Sequence, residues 1–335
     1  MSNQTPYVAE RCFTRDRQGA EVWVVVVKAT FTLRSDGTTA LAEEQRPVCL
    51  APEYLGEPGR SSLKYESDLL FPKPATDVLI HAQAHAPQGK PVPQLDVGWR
   101  VGERVKTLRV FGERMWSRRF GVASLSAPQL FLRMPICYEN AFGGVTPSPD
   151  GKAQGAWEER NPVGRGFVVD PQNLAQLRAP NVENPRHLVN SWKDRPAPAG
   201  FGPLARDWSP RAELVGTYDR KWEEERQPLV PEDFDERFHL CAPEDQQFSE
   251  HLRGGEPVVL LHLMPQETFQ FTLPRLWLAF RTFFGRRSVD HRARLHTVIL
   301  EPDEQRLMMV WGTAVPCQGV EHTLERTVIQ EKQYL

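Results

Sequence analysis

Two histidines four residues apart, His81 and His85, are the first candidates for chemistry in this sequence. Residues at this spacing on one β-strand point to the same face, so both imidazoles could face a single metal ion. A metal site would need a further ligand from elsewhere in the chain. The alternative is that both are ordinary strand histidines, either exposed or hydrogen-bonded in the interior. We expect no bound metal and no cofactor.

Two other groups of residues could support hydrolysis. Asp290 and His291 could form a catalytic triad with a distant serine, because triads are assembled in space rather than in sequence. The acidic run 223–225 with Asp233 and Asp235 could supply the paired carboxylates of a glycosidase. Such runs more commonly form a solvated acidic surface. A hydrolase acting on a cell-wall or carbohydrate substrate therefore stays an alternative hypothesis.

The sequence lacks the strong catalytic and cofactor motifs. It has no GxSxG nucleophile turn, no Walker phosphate loop and no GxGxxG after a strand. Zinc-type spacings of Cys and His and calcium-loop patterns are also missing. We therefore expect that this protein is not an enzyme and has no catalytic residues.

Composition limits the class of protein further. The chain has 335 residues, and 41 Lys and Arg nearly balance 43 Asp and Glu, for a net charge of -2. Proteins that bind nucleic acid or a membrane surface as a whole usually carry a large excess of positive charge, so this balance argues against both classes. No apolar run approaches the ~20 residues of a membrane helix, and no secretory signal pattern is seen. Five scattered cysteines without a CxxC pair are typical of reduced thiols, so we expect a cytoplasmic location.

Prolines, tryptophans and apolar patterns predict a mainly β fold with a few short helices. The 29 prolines and 9 tryptophans oppose long helices and favour strands. The segment 231–252, which Pro243 divides, is the best helical candidate. Strands are predicted at 21–33, 77–86, 95–101, 104–111, 129–134, 257–264, 268–273, 276–283, 295–301 and 306–311.

Residues 141–211 interrupt this pattern. They are rich in Gly, Pro, Asn and Trp and show no helical period. Their aromatic residues favour an ordered, packed excursion over a flexible linker, which would be poor in Trp. We predict a single globular unit, 1–335, with two packed antiparallel sheet lobes in a sandwich-like arrangement. The possible lobes are 1–140 and 212–335, joined by the irregular excursion.

Charge is unevenly distributed near the C-terminal end. Six arginines and a single acidic residue lie between Arg275 and Arg294, with aromatic residues interleaved, whereas eight acidic residues lie between 219 and 236. Arg and aromatic side chains are enriched at the centres of protein interfaces. The alternative is two ordinary surface stretches with the aromatic residues in the core. A turn expected at Gly285 should expose its neighbours, so the predicted partner-binding residues are Arg281, Phe284, Arg286 and Arg287.

An ordered series of motifs resembles one bacterial family, called domain of unknown function 2169, over about residues 22–311. The series includes Ser61-Ser62-Leu63-Lys64-Tyr65, Gly112-x-Arg114-x-Trp116, Ala141-Phe142-Gly143-Gly144, Asn161-Pro162-Val163-Gly164, Pro180-Asn181-x-Glu183, Trp208-x-x-Arg211, Gly216-Thr217-Tyr218-Asp219 and Gly254-Gly255-Glu256. The resemblance implies a place in a type VI secretion system. Members of this family include adaptors or chaperones that load a toxic effector onto the VgrG spike.

The residue types in these motifs suit a scaffold. Asn-Pro, Gly-Gly and Pro-Asn form turns, and large aromatic residues beside them anchor loops to a core. The expected structural anchors are Arg114, Trp116, Phe142, Asn161, Asn181, Trp208, Arg211, Tyr218 and Asp219. Arg114, Arg211 and Asp219 could instead be catalytic.

The sequence therefore predicts an adaptor or chaperone whose partners are an effector and a VgrG-like spike, with no nucleic acid and no membrane among them. A hydrolase, a toxin or a structural component of the secretion apparatus are the alternatives.

Overall fold

Short β-strands and loops make up most of the protein in a computed structural model that describes residues 1–119, 122–146, 155–174 and 177–332. The strands in chain order are β1 (Ser2–Asn3), β2 (Val8–Arg15), β3 (Glu21–Leu33), β4 (Thr39–Leu41), β5 (Glu53–Tyr54), β6 (Leu63–Tyr65), β7 (Asp77–Ile80), β8 (Gln83–His85), β9 (Gln94–Val101), β10 (Arg104–Phe111), β11 (Trp116–Arg119), β12 (Val122–Leu125), β13 (Arg133–Pro135), β14 (Phe142–Gly143), β15 (Arg165–Gly166), β16 (Val182–Glu183), β17 (Pro257–Leu261), β18 (Thr268–Thr272), β19 (Leu278–Phe284), β20 (Arg287–Arg292), β21 (Arg294–Glu301), β22 (Arg306–Pro316) and β23 (Leu324–Glu331).

Helical structure in the described ranges is limited to one α-helix and short turns. The α-helix is α1 (Arg220–Glu225), and the 3-10 turns are Pro87–Gly89, Tyr138–Asn140, Pro171–Leu174, Arg211–Leu214, Glu236–His239, Glu244–Gln246, Pro302–Glu304 and Glu321–Thr323. None of the described helices is long and apolar enough to cross a membrane. The predicted mainly β class is confirmed.

The longest strand, β3, is buried on both faces, as its unbroken apolar run predicts. Val25 and Val27 belong to the main apolar cluster, whereas Val24 and Val26 belong to a second cluster on the opposite face. Antiparallel pairing with β2 on one side and β22 on the other satisfies its backbone. β3 is therefore a central strand of a sheet with the order β2-β3-β22-β21-β7, to which β4 is added.

Two further sheets complete the frame. One has the order β16-β10-β9-β17-β18 and the other the order β1-β23-β19-β20. The four-stranded sheet packs against the six-stranded sheet, where the Trp23 indole donates a hydrogen bond to the Thr327 hydroxyl at 2.9 Å. The pairs β1–β23 and β7–β21 are parallel, so the sheets are mixed and not purely antiparallel as predicted.

Strands from the ranges 1–140 and 212–335 share the two larger sheets. β21 and β22 pair with β7 and β3, and β17 pairs with β9. The main apolar cluster likewise runs from Tyr7 to Ile329. The boundary between the possible lobes therefore does not follow the sheets.

The hairpins 95–111 and 295–311 are confirmed as β9–β10 and β21–β22. The predicted strand 77–86 is instead two short strands, β7 and β8, which pair with different partners. In the predicted strand 129–134, only the C-terminal end joins β13, and Phe131 forms a single bridge to Val92.

The predicted helix at 231–252 is wrong. This segment contains only the 3-10 turns Glu236–His239 and Glu244–Gln246. Its main chain forms single turns, such as the hydrogen bonds from the Leu240 amide to the Arg237 carbonyl and from the Gln246 main-chain amide to the Pro243 carbonyl. Between these turns the segment bonds to β7 and its surroundings: the Phe248 main-chain amide donates to the Thr76 carbonyl, and the Gln246 side-chain amide donates to the Val78 carbonyl. Short turns and long-range hydrogen bonds thus take the place of a continuous helix.

The excursion 141–211 packs with Trp116 of β11 into a small separate core. Trp116, Phe142, Val168, Leu174, Ala179 and Val189 form a separate buried cluster. Its ladders are minimal, since β14 and β15 pair over only two residues. Residues 147–154, 175 and 176 of the predicted excursion lie outside the described residues.

Gly112 provides a test of how closely the loops pack. A Cβ at this position would lie 1.8 Å from the Gln129 carbonyl oxygen. We expect Gly112→Ala to lower the free energy of unfolding by about 1–3 kcal/mol or more, because backbone would have to move. The matched control is Gly56→Ala, where the new Cβ meets only ordinary contacts at 3.4 Å. Urea unfolding of both variants measures the effect, and equal stability of the two would contradict a close contact between Gly112 and Gln129.

Candidate functional site

Arg114 is buried between the end of β10 and the segment around β16. Its Nη2 donates to the Pro180 carbonyl at 2.5 Å and to the Glu183 carboxylate, and its guanidinium lies 3.8 Å from the Phe111 ring centroid. Glu183 also accepts from the Val189 amide at 2.7 Å. Burial raises the pKa of Glu183, and the charge of Arg114 opposes that rise. Arg114 thus holds the excursion to the sheet.

Two fully buried asparagines replace missing ladder bonds in the excursion. Asn161 donates from Nδ2 to the carbonyls of Tyr138 at 2.8 Å and Phe142 at 3.0 Å. Asn181 donates to the Phe111 carbonyl at 3.1 Å and accepts from Arg165 at 2.8 Å. Asn161 therefore links main-chain carbonyls on both sides of Ala141, and Asn181 extends the short β10–β16 pairing by one further contact.

The predicted aromatic anchors are buried. Trp116 and Phe142 are each 2% exposed in the cluster of the excursion. Trp208 is also buried and meets Tyr138 edge-on, with 5.5 Å between ring centroids. Each anchor occupies a packed interior site, where its apolar area stabilises a loop.

Arg211 forms the centre of a buried charged network. Its Nη1 lies 2.7 Å from the Glu66 carboxylate and also donates to the Leu204 carbonyl, and its Nε donates to the Phe238 carbonyl at 2.8 Å. Glu66 accepts from Arg206 as well. Burial alone would raise the pKa of Glu66, but the hydrogen bond from Arg206 and the charge of Arg211 hold it below its usual value.

Tyr218 and Asp219, in contrast, lie at the surface. Tyr218 is 52% exposed and packs edge-on against Trp222 at 4.6 Å. Asp219 accepts from the Trp222 amide at 2.9 Å and is the N-cap of α1.

Two carboxylates of the acidic segment form further local hydrogen bonds. Asp233 accepts from the Thr217 amide and hydroxyl, and Asp235 accepts from the Arg237 amide. The structure therefore uses Asp219, Asp233 and Asp235 to cap helical turns and loops.

The histidine candidates do not come together. His81 lies in the gap between β7 and β8 and is half-buried beside Tyr65, where the burial of its ring lowers its pKa to about 4. His85 instead lies 2.7 Å from the Asp303 carboxylate. In the described ranges, no three His, Cys, Asp or Glu side chains are grouped as metal ligands would be.

Asp290 and His291 face opposite sides of β20, as neighbours on a strand must. The Asp290 carboxylate pairs with Arg281 at 2.6 Å on the outer face. The His291 imidazole points inward, between the hydroxyls of Thr282 and Thr313 at 2.8 Å each, and burial lowers its pKa to about 4. Asp290 therefore does not orient His291 as a triad would require.

The predicted partner-binding residues surround the tight turn between β19 and β20. Gly285 has a φ of 52°, and the side chains of Arg281, Arg286 and Arg287 are exposed. Arg287 donates to the Gln318 side chain at 2.5 Å. The exposure expected for Phe284 is wrong. Because β19 alternates, Phe284 points into the main apolar cluster and is 4% exposed.

A large groove lies beside this hairpin, and we call it the basic groove. Its volume is about 1280 Å³, and segments 249–253, 276–283, 290–295 and 328–332 contribute its walls. A neighbouring recess of about 500 Å³ is lined by Arg253, Arg275, Trp277 and Arg292. It shares Arg253, Trp277 and Arg292 with the groove, and we count it as part of the basic groove. The Arg275–Arg294 stretch thus lies at a concave surface. No local sequence pattern marks Arg253 and Lys332 as groove residues, since the packing of distant segments brings them there.

The Glu66–Arg211 pair yields a pH-dependent prediction. We expect Glu66→Gln to lower the free energy of unfolding at pH 7 by about 3 kcal/mol, because a buried guanidinium loses its counter-charge. The pKa of Glu66 is lowered in the fold, so its stabilisation is present at neutral pH and is lost as pH falls through the folded pKa. The difference between the variant and the original chain should therefore shrink in acid.

Urea unfolding at pH 7 and at pH 3–4 measures this difference. Glu57→Gln is the matched control, because Glu57 and Arg60 form an ion pair with side chains 73% and 83% exposed and should contribute less than about 1 kcal/mol. A constant difference at both pH values would contradict the assignment to Glu66.

The sequence was compared with known protein families, curated proteins and solved structures. No curated protein and no solved structure matches the chain. Residues 18–312 match the profile of a family described as an uncharacterized protein conserved in bacteria (DUF2169). The match spans most of the chain and contains the motif residues described above, from Arg114 to Asp219. The protein therefore belongs to the DUF2169 family.

Proposed function

We propose that this protein is a cytoplasmic, non-enzymatic adaptor or chaperone that binds a type VI secretion effector and helps to load it onto a VgrG-like spike. The observation that carries the proposal is the basic groove, where exposed arginines and aromatic side chains border a concave surface of about 1280 Å³. Arginine and aromatic residues are the types enriched where proteins bind proteins. The resemblance of the motif series supplies the secretion context.

The bonding of the motif residues supports a scaffold. Arg114 and Arg211 are buried and donate to main-chain carbonyls, and Asp219 caps a helix. Each of these candidate catalytic residues thus has a structural partner within the protein. Such bonds stiffen the loops, and a stiff surface loses less conformational entropy when a partner binds.

Reconstitution with defined partners tests the proposal. The tagged chain would be co-expressed with the effector, with the spike protein, and with both, each encoded by a gene next to that of this protein. We expect a complex of chain and effector, and a larger complex when the spike is present. Stoichiometric co-purification with sheath or baseplate would instead indicate a structural component. Turnover of a substrate that is lost when one ionisable side chain is neutralised would indicate an enzyme.

The tip of the β19–β20 hairpin yields a variant for this assay. We expect Arg286→Glu with Arg287→Glu to weaken capture of the effector or the spike roughly tenfold, because reversed charges at an interface rim slow association. Both side chains are exposed, so the fold should be retained. Arg11→Glu with Arg100→Glu, two exposed strand arginines elsewhere, is the control. Unchanged capture of both partners by the folded tip variant would remove the tip from the interface.

A further inference from the structure

The charges of the basic groove are not balanced within the protein. Among its lining residues, Arg281 and Asp290 pair with each other at 2.6 Å. Five exposed cations form no ion pair with any residue in the described ranges: Arg253, Arg275, Arg292, Arg294 and Lys332. Glu250 is the one other acidic residue that lines the groove in the described part of the chain. The groove therefore presents a concentrated positive charge on a protein whose net charge is -2.

The groove also has an apolar floor. Phe280, Thr282 and Phe284 on β19 point into the core, so the alternate residues Ala279, Arg281 and Phe283 face outward. Val328 on β23 lies directly opposite Arg281, and both Phe283 and Val328 are half-buried lining residues. Apolar contacts are thus available beside the charged ones.

Arg275 is held in place by two consecutive glycines. Its Nε donates to the Gly254 carbonyl at 3.2 Å. A Cβ at Gly255 would lie 2.3 Å from its Nη2, so the guanidinium packs directly on the Gly255 backbone. Gly254 and Gly255 have φ of 81° and 89°, which other residues rarely adopt. This motif positions a guanidinium at the recess before any ligand arrives.

The size and shape of the groove favour an extended polypeptide. Its volume of about 1280 Å³ exceeds the range of roughly 300–1,000 Å³ that is typical of small-molecule sites. The floor follows β19, whose seven residues span about 23 Å at ~3.3 Å per residue. Six to eight residues of extended chain would therefore fill it.

We propose that the basic groove holds an extended acidic segment of a protein partner, in which carboxylates alternate with apolar side chains. The carboxylates bind the guanidinium groups of Arg253, Arg275 and Arg292, whose planar geometry allows bidentate hydrogen bonds. The apolar side chains lie on Phe283 and Val328. This inference rests on the proposed protein-binding function and names the chemistry of the bound segment.

A nucleic acid fits the same groove less well. Its phosphates would pass the carboxylates of Asp290 and Glu250, which line the groove and are exposed. A peptide can place an apolar or basic side chain at these points, whereas a phosphodiester backbone carries a charge at every nucleotide. The combination of cations, two acids and an apolar floor therefore favours a peptide.

Fluorescence anisotropy with the full chain tests this proposal. The probe is a labelled eight-residue peptide of alternating Glu and Leu, and the comparison probes are the same peptide with Lys for Glu and an eight-nucleotide oligothymidylate. We expect saturable binding of the acidic peptide that weakens with salt. No saturable binding of the acidic peptide, or tighter binding of the oligonucleotide, would overturn the proposal.

Arg275→Glu with Arg292→Glu should weaken peptide binding at least about tenfold, because two charge-assisted contacts become repulsive. The matched control, Arg11→Glu with Arg100→Glu, makes the same change of net charge outside the groove and should bind as the original chain does. Equal binding by both folded variants would overturn the proposal.

Arg275→Lys keeps the positive charge but loses the planar guanidinium. We therefore expect an affinity for the peptide between those of the original chain and the Arg275→Glu, Arg292→Glu variant. An affinity equal to that of the original chain would contradict the bidentate contact.

The outcomes separate this inference from the proposed function. Capture of the effector by a chain that does not bind the peptide would overturn the groove assignment and leave the adaptor function standing. Peptide binding without capture of effector or spike would support the groove and overturn the adaptor function. Self-association that disappears in the Arg275→Glu, Arg292→Glu variant would show that the occupant is a second copy of the chain, and would overturn the proposal.

Discussion

This structure depends on one constraint: the main-chain groups of its long loops need hydrogen-bond partners although few of them pair with a strand. Buried N–H and C=O groups need partners, and the long loops of this chain have few ladders to supply them. Buried side chains do so instead. Asn161, Asn181, Arg211 and Gln246 together bond to main-chain carbonyls of Tyr138, Phe142, Phe111, Leu204, Phe238, Val78 and Phe201. The loops are therefore part of the packed structure.

The same constraint explains where charges lie. A charged group in the interior must be paired, because its transfer from water into the protein costs much free energy when no counter-charge is present. Lys28 pairs with Asp68 at 3.0 Å and Lys73 with Asp77 at 2.8 Å, and both pairs are buried. Burial alone would lower the pKa of Lys73, but the charge of Asp77 raises it. In the basic groove, exposed arginines keep their hydration and can stay unpaired until a partner arrives.

The groove depends on the way the four-stranded sheet closes over the six-stranded one. The inner face of β19 enters the core through Phe280 and Phe284, and this packing fixes the outer face on which Arg281 and Phe283 lie. β20 then continues through Ala293 into β21 of the other sheet, which brings Arg292 and Arg294 to the rim of the groove. Residues from both faces of β19, including Phe280 and Phe283, line the groove, so the frame and the candidate binding surface share the same strands.

Short-range sequence patterns were enough to predict several local elements of this protein. The apolar run of β3 and the hairpins β9–β10 and β21–β22 follow from side-chain alternation and turn residues, which act over a few positions. Alternation could also have indicated that Asp290 and His291 point apart. Long-range packing decided that 231–252 forms only short turns, since Phe248 and Gln246 donate hydrogen bonds to the carbonyls of Thr76 and Val78, beside and within β7. It also decided that Arg253, Arg275, Arg292 and Lys332 meet in one groove, because the packing of distant segments, and not any local pattern, brings those side chains together.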